Sequence, residues 1–184
     1  MTALDTLRNL VLAPYILQAM ALIRIGRRVG GNQFRHCFMV LGILLDYKLF
    51  NDSILLKASL LHDLLEDIPD TRVDEIRSID EDANRVVELV LEVSKQENET
   101  KKQFLQRILE KGSANAMLLK CADRISNLTD LHRDTDSDQS IAEYVQQTED
   151  FVIPMAAKVN DNMLKELTDL VARRKEILNL MGGK

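Results

Sequence analysis

Nowhere does this sequence alternate polar and apolar residues with period two for long enough to form a sheet. Internal repeats and low-complexity segments are also missing. No apolar run reaches ~18 residues, the length a membrane-spanning helix needs. No basic-plus-apolar leader opens the chain, so a cytoplasmic location without a membrane partner is expected. Positive charge is not in surplus. The formal net charge is −5, which argues against a basic surface for a nucleic acid polymer. A small phosphorylated ligand needs only a few well-placed cations and stays within reach. Cysteine is scarce. Cys37 and Cys121 have no metal-type spacing and read as reduced thiols.

What is present is a chain of 184 residues, 46% hydrophobic and 29% charged. That suffices for one domain with a core that needs no disulfide or metal staple. Apolar residues recur at helical spacing throughout, and the expected fold class is all-α, a bundle of about nine helices. A short amphipathic stretch over residues 2–12 is followed by Pro14, which suits the first turn of the next helix. Gly26, Gly30 and Gly31 interrupt the pattern, with Arg27 and Arg28 between them. Further helices are expected over 34–50, 53–68, 70–79, 82–94, 103–110, 113–133, 139–160 and 161–181. Residues 51–53 read as a turn and N-cap cluster, and 135–138 as a capping loop. Residues 95–102 read as a polar, charged connector. Gly112 reads as a C-cap, Pro154 as a kink or division, and residues 182–184 as a loose tail.

The chemistry concentrates in residues 58–68, A-S-L-L-H-D-L-L-E-D-I. On a helix, positions i and i+4 share a face, so His62 would lie under Glu66 and Asp63 under Asp67. Leu60, Leu61, Leu64 and Leu65 make the remainder apolar. Three acids and an imidazole on such a helix are costly to bury unless something compensates them, and a divalent metal does so. His36, at the start of an earlier helix, and Asp123, beside the apolar stripe of residues 113–133, extend the set. Two imidazoles and two carboxylates form a mixed N/O ligand group that suits Mn²⁺, Fe²⁺ or Zn²⁺ better than Ca²⁺. Such an ion with open positions can hydrolyse a phosphoester. Asn127 lies four residues beyond Asp123. His132, near the end of its helix, reads as a surface residue complementing the helix dipole rather than a ligand. Arg27 and Arg28 read either as a solvated helix end or as an anion clamp.

H-D-L-L-E-D resembles the H-D-x-x-E-D motif of the RelA/SpoT-type alarmone hydrolases, a branch of the HD phosphohydrolases. K-C-A-D-R-I-S-N is similar to their K-L-A-D-R-x-x-N at Lys120, Ala122, Asp123, Arg124 and Asn127. Arg27 precedes His36 by nine residues, as an arginine-bearing loop precedes the family's first metal histidine. Val93–Lys95 is similar to the family's V-T-K, and Thr148, Pro154 and Ala156 match a later helix. The motif-bearing stretch thus runs from about residue 19 to about residue 170, within one HD phosphohydrolase domain spanning 1–184. The resemblance implies a metal-dependent hydrolase that removes the 3′-pyrophosphate of guanosine tetra- or pentaphosphate, with Mn²⁺ held by His36, His62, Asp63 and Asp123. Glu66 and Asp67 would be catalytic. Arg27 and Asn127, with Arg28 and Lys95 as lesser candidates, would contact the nucleotide. The length matches the small, hydrolase-only members.

The chain departs from the family in places. G-E-P-Y-I-x-H-P is here G-G-N-Q-F-R-H-C, so Gln33 stands at the tyrosine and Cys37 at the second proline. Ser126 replaces a histidine, and Asp130 stands where the family has threonine. Two alternatives therefore stay open at this point: an HD phosphohydrolase acting on another nucleotide or phosphorylated metabolite, and a catalytically silent nucleotide-binding sensor.

Overall fold

Residues 54–61 are buried without exception, and the first part of the fold packs around the helix they form. A helix that is apolar on every side needs neighbours on every side. The computed structural model describes residues 3–182 and contains α-helices, 3₁₀ turns and one π-helical turn; among these residues there is no strand, only an isolated bridge between Gly26 and Asn32. The all-α expectation stands. No helix among them is long and apolar enough to cross a membrane. The chain divides into two compact units. One comprises the residues up to Arg27 together with Gly31–Glu97, the other Arg28–Gly30 together with the residues from Asn98 onward.

The first unit holds α1 (Ala3–Asn9), α2 (Ala13–Ala19), a 3₁₀ turn (Met20–Arg24), α3 (Gln33–Asp46), α4 (Ser53–Leu61), α5 (Leu64–Asp67), α6 (Val73–Arg77) and α7 (Ala83–Val93). α4 packs against α2, α3 and α7. Asn32 caps α3 by accepting from the Arg35 N–H, and Asp52 caps α4 by accepting from the Leu55 N–H. Gly30 and Gly31, at φ +89° and +75°, turn the chain into α3 through a left-handed region that side chains with a Cβ rarely adopt. The second unit holds α8 (Lys101–Lys111), α9 (Ala114–Asp130), a 3₁₀ turn (Leu131–Arg133), α10 (Asp138–Gln147), a π-helical turn (Thr148–Val152), α11 (Ile153–Val159) and α12 (Asp161–Gly182). α9 is its centre and packs against α8, α11 and α12. Thr100 and Gln103 form a capping box at the start of α8, and Ser113 caps α9.

The described residues hold twelve α-helical segments against about nine expected; two expected helices are divided and a third is shortened. The helix expected over 53–68 stops at Leu61 and restarts at Leu64. In an unbroken helix the Ser59 carbonyl would pair with the Asp63 N–H. Here it faces the His62 imidazole, with Nδ1 at 2.8 Å. The helix expected over 34–50 ends at Asp46. Lys48 takes φ +61°, and the Leu49 N–H reaches back to the Leu44 carbonyl (3.1 Å), closing the end in the manner of a Schellman turn. The helix expected over 139–160 is three pieces, and Pro154 sits in the first turn of the last. The start of the expected first helix at Thr2, and Gly183-Lys184 of the expected tail, lie outside the described residues.

Candidate metal centre

One turn into α3, His36 is buried at 1% exposure, and at the break between α4 and α5 His62 is buried at 3%. Their rings meet edge to face with centroids 5.2 Å apart. Both address a single carboxylate oxygen. Asp63 Oδ2 lies 3.3 Å from His62 Nε2 and 3.7 Å from His36 Nε2. The pair lies at the break between α4 and α5, where His62 keeps helical dihedrals and Asp63 departs modestly, at φ −99° and ψ −6°.

The donor set fits a cation on its own chemistry. A carbonyl only accepts, so Ser59 O at 2.8 Å assigns the imidazole hydrogen to His62 Nδ1. In the neutral ring, Nε2 then presents a lone pair toward the Asp63 carboxylate, and two acceptors at 3.3 Å attract each other only through something positive. A histidine whose far N–H is tied to a backbone carbonyl is the usual outer arrangement of a metal-bound imidazole. Cys37 also reaches this centre: one ligand atom each from Cys37, His62 and Asp63 lies within 4.8 Å of the others. The spacing of the cysteines gave no sign of this, because the thiol arrives by being the neighbour of His36 on α3.

The two further acids of the motif are held differently. Asp67 Oδ2 accepts from Gln33 Nε2 at 3.0 Å, and the same nitrogen donates to Asp63 Oδ2 at 3.1 Å. Burial pushes the Asp67 carboxyl above its usual range; the Gln33 bond opposes that shift and the charge of Asp63 adds to it. Glu66 is exposed, and its Oε1 accepts from the backbone N–H of Lys95 at 2.6 Å. The Val93–Lys95 segment thus contributes a main-chain donor, which a reading of side chains alone does not find. Gln33 was likewise missed: it registered only as a departure from a motif.

Arg27 is half-buried in the turn before α3, and its N–H donates to the Gly31 carbonyl. In the second unit, Asp123 is 6% exposed. Its Oδ1 accepts from Asn127 Nδ2 at 2.6 Å, and its Oδ2 pairs with Lys120 Nζ at 2.8 Å. Arg124 does not pair with it. That guanidinium lies 3.8 Å from the Tyr144 ring centroid and donates to the Tyr144 carbonyl and to Thr148 Oγ1. Arg28 is already engaged by Asp134 (3.0 Å) and Asp136 (3.2 Å). His132 is exposed, with Nδ1 at 3.1 Å from the Thr129 carbonyl near the end of α9, in keeping with a surface residue.

An all-α chain with two buried imidazoles against one aspartate is what the resemblance to the HD phosphohydrolases implies. No protein-family model matches the chain. In sequence it is 29% identical over 147 residues to the guanosine-3′,5′-bis(diphosphate) 3′-pyrophosphohydrolase MESH1 of Drosophila melanogaster, covering 80% of this chain and 79% of the relative. In structure it is similar, at a TM-score of 0.77 and 25% identity, to a solved protein described as a metazoan ortholog of SpoT that hydrolyzes ppGpp and plays a role in starvation responses. That likeness covers 89% of this chain and 94% of the other. Sequence and fold therefore agree with the resemblance carried by the H-D-L-L-E-D and A-D-R-I-S-N motifs.

Proposed function

We propose that the protein is a metal-dependent hydrolase that removes the 3′-pyrophosphate of guanosine tetra- or pentaphosphate. The observation that carries the reading is the meeting of His36 Nε2 and His62 Nε2 on one oxygen of Asp63, in a chain similar to such a hydrolase over four-fifths of its length. His36, His62 and Asp63 are proposed as metal ligands, with Asp123 as the fourth. Asp123 is supported by the A-D-R-x-x-N resemblance and by a buried carboxylate already steadied by Asn127.

Mn²⁺ is the proposed ion, with Fe²⁺ or Zn²⁺ as the alternatives a mixed N/O set admits. When bound, it supplies Lewis acidity at the attacking water and neutralises phosphate charge. The protein's own groups do the rest. Glu66, which accepts from the Lys95 N–H, would take a proton from water, and Asp67 would orient that water or assist the leaving ribose oxygen. The water oxygen bonds to phosphorus as the bond to the 3′-oxygen breaks, and that oxygen takes up a proton. Arg27 and Asn127 are proposed to contact the nucleotide. Lys95 can add its exposed ammonium, while Arg28 contributes less because Asp134 and Asp136 already neutralise it. A cytoplasmic location is proposed as well: among the described residues Cys37 and Cys121 are buried and form no disulfide, and burial pushes the Cys121 thiol up to about 12.

The test is a product assay on guanosine tetraphosphate with Mn²⁺ supplied and removed. Guanosine diphosphate and pyrophosphate at many turnovers per enzyme support the reading. No product with Mn²⁺, beside rapid hydrolysis of another nucleotide, would replace the substrate. Metal binding without turnover of any nucleotide would leave a sensor.

A further inference from the structure

Gln33 opens α3, and one atom of it touches two carboxylates. Its Nε2 donates to Asp63 Oδ2 at 3.1 Å and to Asp67 Oδ2 at 3.0 Å. Carboxylate oxygens in this role only accept, so the chemistry fixes which end of the amide is nitrogen. The other end, Oε1, is buried and has no hydrogen-bond partner among the described residues. An unmet buried carbonyl is costly. The amide nevertheless keeps this orientation, so the two carboxylates outweigh the loss.

Those carboxylates need it. Asp63 and Asp67 are a single helical turn apart, joined by the Asp67 N–H on the Asp63 carbonyl at 3.0 Å. Two anions at that spacing repel. An amide nitrogen carries two hydrogens and can serve both at once. The tyrosine that stands at this place in the resembled motif has a single hydroxyl hydrogen and can serve only one.

We propose that Gln33 is a positioning residue: its amide clamps the carboxylates of Asp63 and Asp67 together, so that the metal-holding acid and the catalytic acid keep a fixed mutual orientation. This rests on the roles given to Asp63 and Asp67 above. The clamp itself is a property of the metal-free protein and can be measured there.

The experiment has two arms. In metal-free protein, a double-mutant cycle of thermal unfolding compares Gln33→Met, Asp67→Ala and the double variant. The clamp requires the double variant to melt a few degrees away from the sum of the single shifts. An additive cycle overturns it. In the second arm, equilibrium dialysis measures Mn²⁺ binding, and kinetics are run on guanosine tetraphosphate at saturating Mn²⁺. Gln33→Met should weaken Mn²⁺ ~10-fold and lower kcat ~10–100-fold, with KM kept within ~3-fold. Gln33→Asn keeps both hydrogens on a shorter arm and should recover part of each loss. Unchanged Mn²⁺ affinity with unchanged kcat overturns the positioning role, whatever the cycle shows. Unmodified protein that neither binds Mn²⁺ nor turns over the alarmone would instead remove the functional reading, while the cycle still decides whether the clamp exists.

Discussion

Replacing Asp63 and Glu66 separately by alanine should have different consequences, because the two carboxylates are held in different ways. Asp63 Oδ2 faces two buried imidazole nitrogens at 3.3 and 3.7 Å and receives the Gln33 amide. Asp63→Ala therefore deletes the carboxylate whose Oδ2 both imidazoles face. Losing a partner outside the ligand shell already costs 10–100-fold in metal affinity, so losing a charged ligand should exceed ~100-fold. Glu66 sits on the exposed side of α5 and accepts a main-chain hydrogen bond at 2.6 Å. Glu66→Ala should leave Mn²⁺ affinity within ~3-fold. It should lower kcat by ~10²–10⁴, about 3–5 kcal/mol of barrier, as loss of a positioned proton acceptor does. Equilibrium dialysis with elemental analysis reads the first quantity, and steady-state hydrolysis of guanosine tetraphosphate at saturating Mn²⁺ reads the second. Equal metal loss in both variants would refute the division of labour and make Glu66 a ligand.

Lys95→Pro removes the N–H that holds Glu66, and Ser94 at ψ 142° is already in the extended conformation a following proline requires. It should lower kcat ~10-fold while Lys95→Ala, which keeps the peptide, changes kcat less than ~3-fold; equal kinetics for the two would dismiss the bond. Arg27→Ala should raise KM for guanosine tetraphosphate with a smaller effect on kcat, because a guanidinium that only binds anionic substrate contributes equally to ground and transition states; a fall confined to kcat would count against it. Lys57, 5% exposed in α4, bonds Asp80 and Asp82 at 2.8 Å each, and Asp80 also accepts from the Tyr15 hydroxyl at 2.7 Å. Lys57→Met leaves two partly solvated carboxylates unpaired and should cost about 2–4 kcal/mol, or ~5–15 °C in Tm, without altering Mn²⁺ affinity. Burial raises Asp80, but hydrogen bonds from Lys57 and Tyr15 outweigh it, and Lys57 likewise holds Asp82 below the usual carboxylate range. Their stabilisation is thus complete above about pH 4 and is lost as pH falls through the lowered values. Burial lowers Lys57, yet the two aspartates raise it overall, so its share persists below about pH 10.5 and is lost as pH rises past its raised value. A Tm profile equally steep in acid for Lys57→Met and the unmodified protein would refute the coupling.

Much of the fold was legible because helical periodicity and capping chemistry are local. Asp52, Ser113 and Ser137 cap the helices their positions suggest, and α7 and α9 fall within a residue or two of their expected starts. The misses lie where a side chain competes with the backbone ladder. His62 takes the carbonyl of Ser59, Lys48 adopts a left-handed conformation, and a π-helical turn precedes Pro154. None of these alters the 3.6-residue pattern, so periodicity runs through them unbroken. The candidate site divides in the same way. His36, His62 and Asp63 announce themselves by residue type. The groups that orient the motif's acids, the Gln33 amide and the Lys95 N–H, come from segments distant in sequence, and a main-chain donor carries no signature of its own.

The break at His62 connects these two kinds of miss. A continuous helix over 53–68 would project His62 and Asp63 in directions fixed by its 100° step, and neighbouring residues on such a helix do not face each other. Relaxing the helix by a single turn lets adjacent side chains converge, with His62 Nε2 at 3.3 Å from Asp63 Oδ2. The backbone bonds given up are partly replaced by the contact that orients the imidazole, and α5 resumes at once, with the Asp67 N–H on the Asp63 carbonyl and the Ile68 N–H on that of Leu64. The full burial of residues 54–61 then holds one side of the break rigid, while Gln33 and the Lys95 N–H hold the acids on the other. The interruption at His62 and Asp63 thus brings two neighbouring side chains toward one point, flanked by a fully buried helix on one side and by hydrogen-bonded acids on the other.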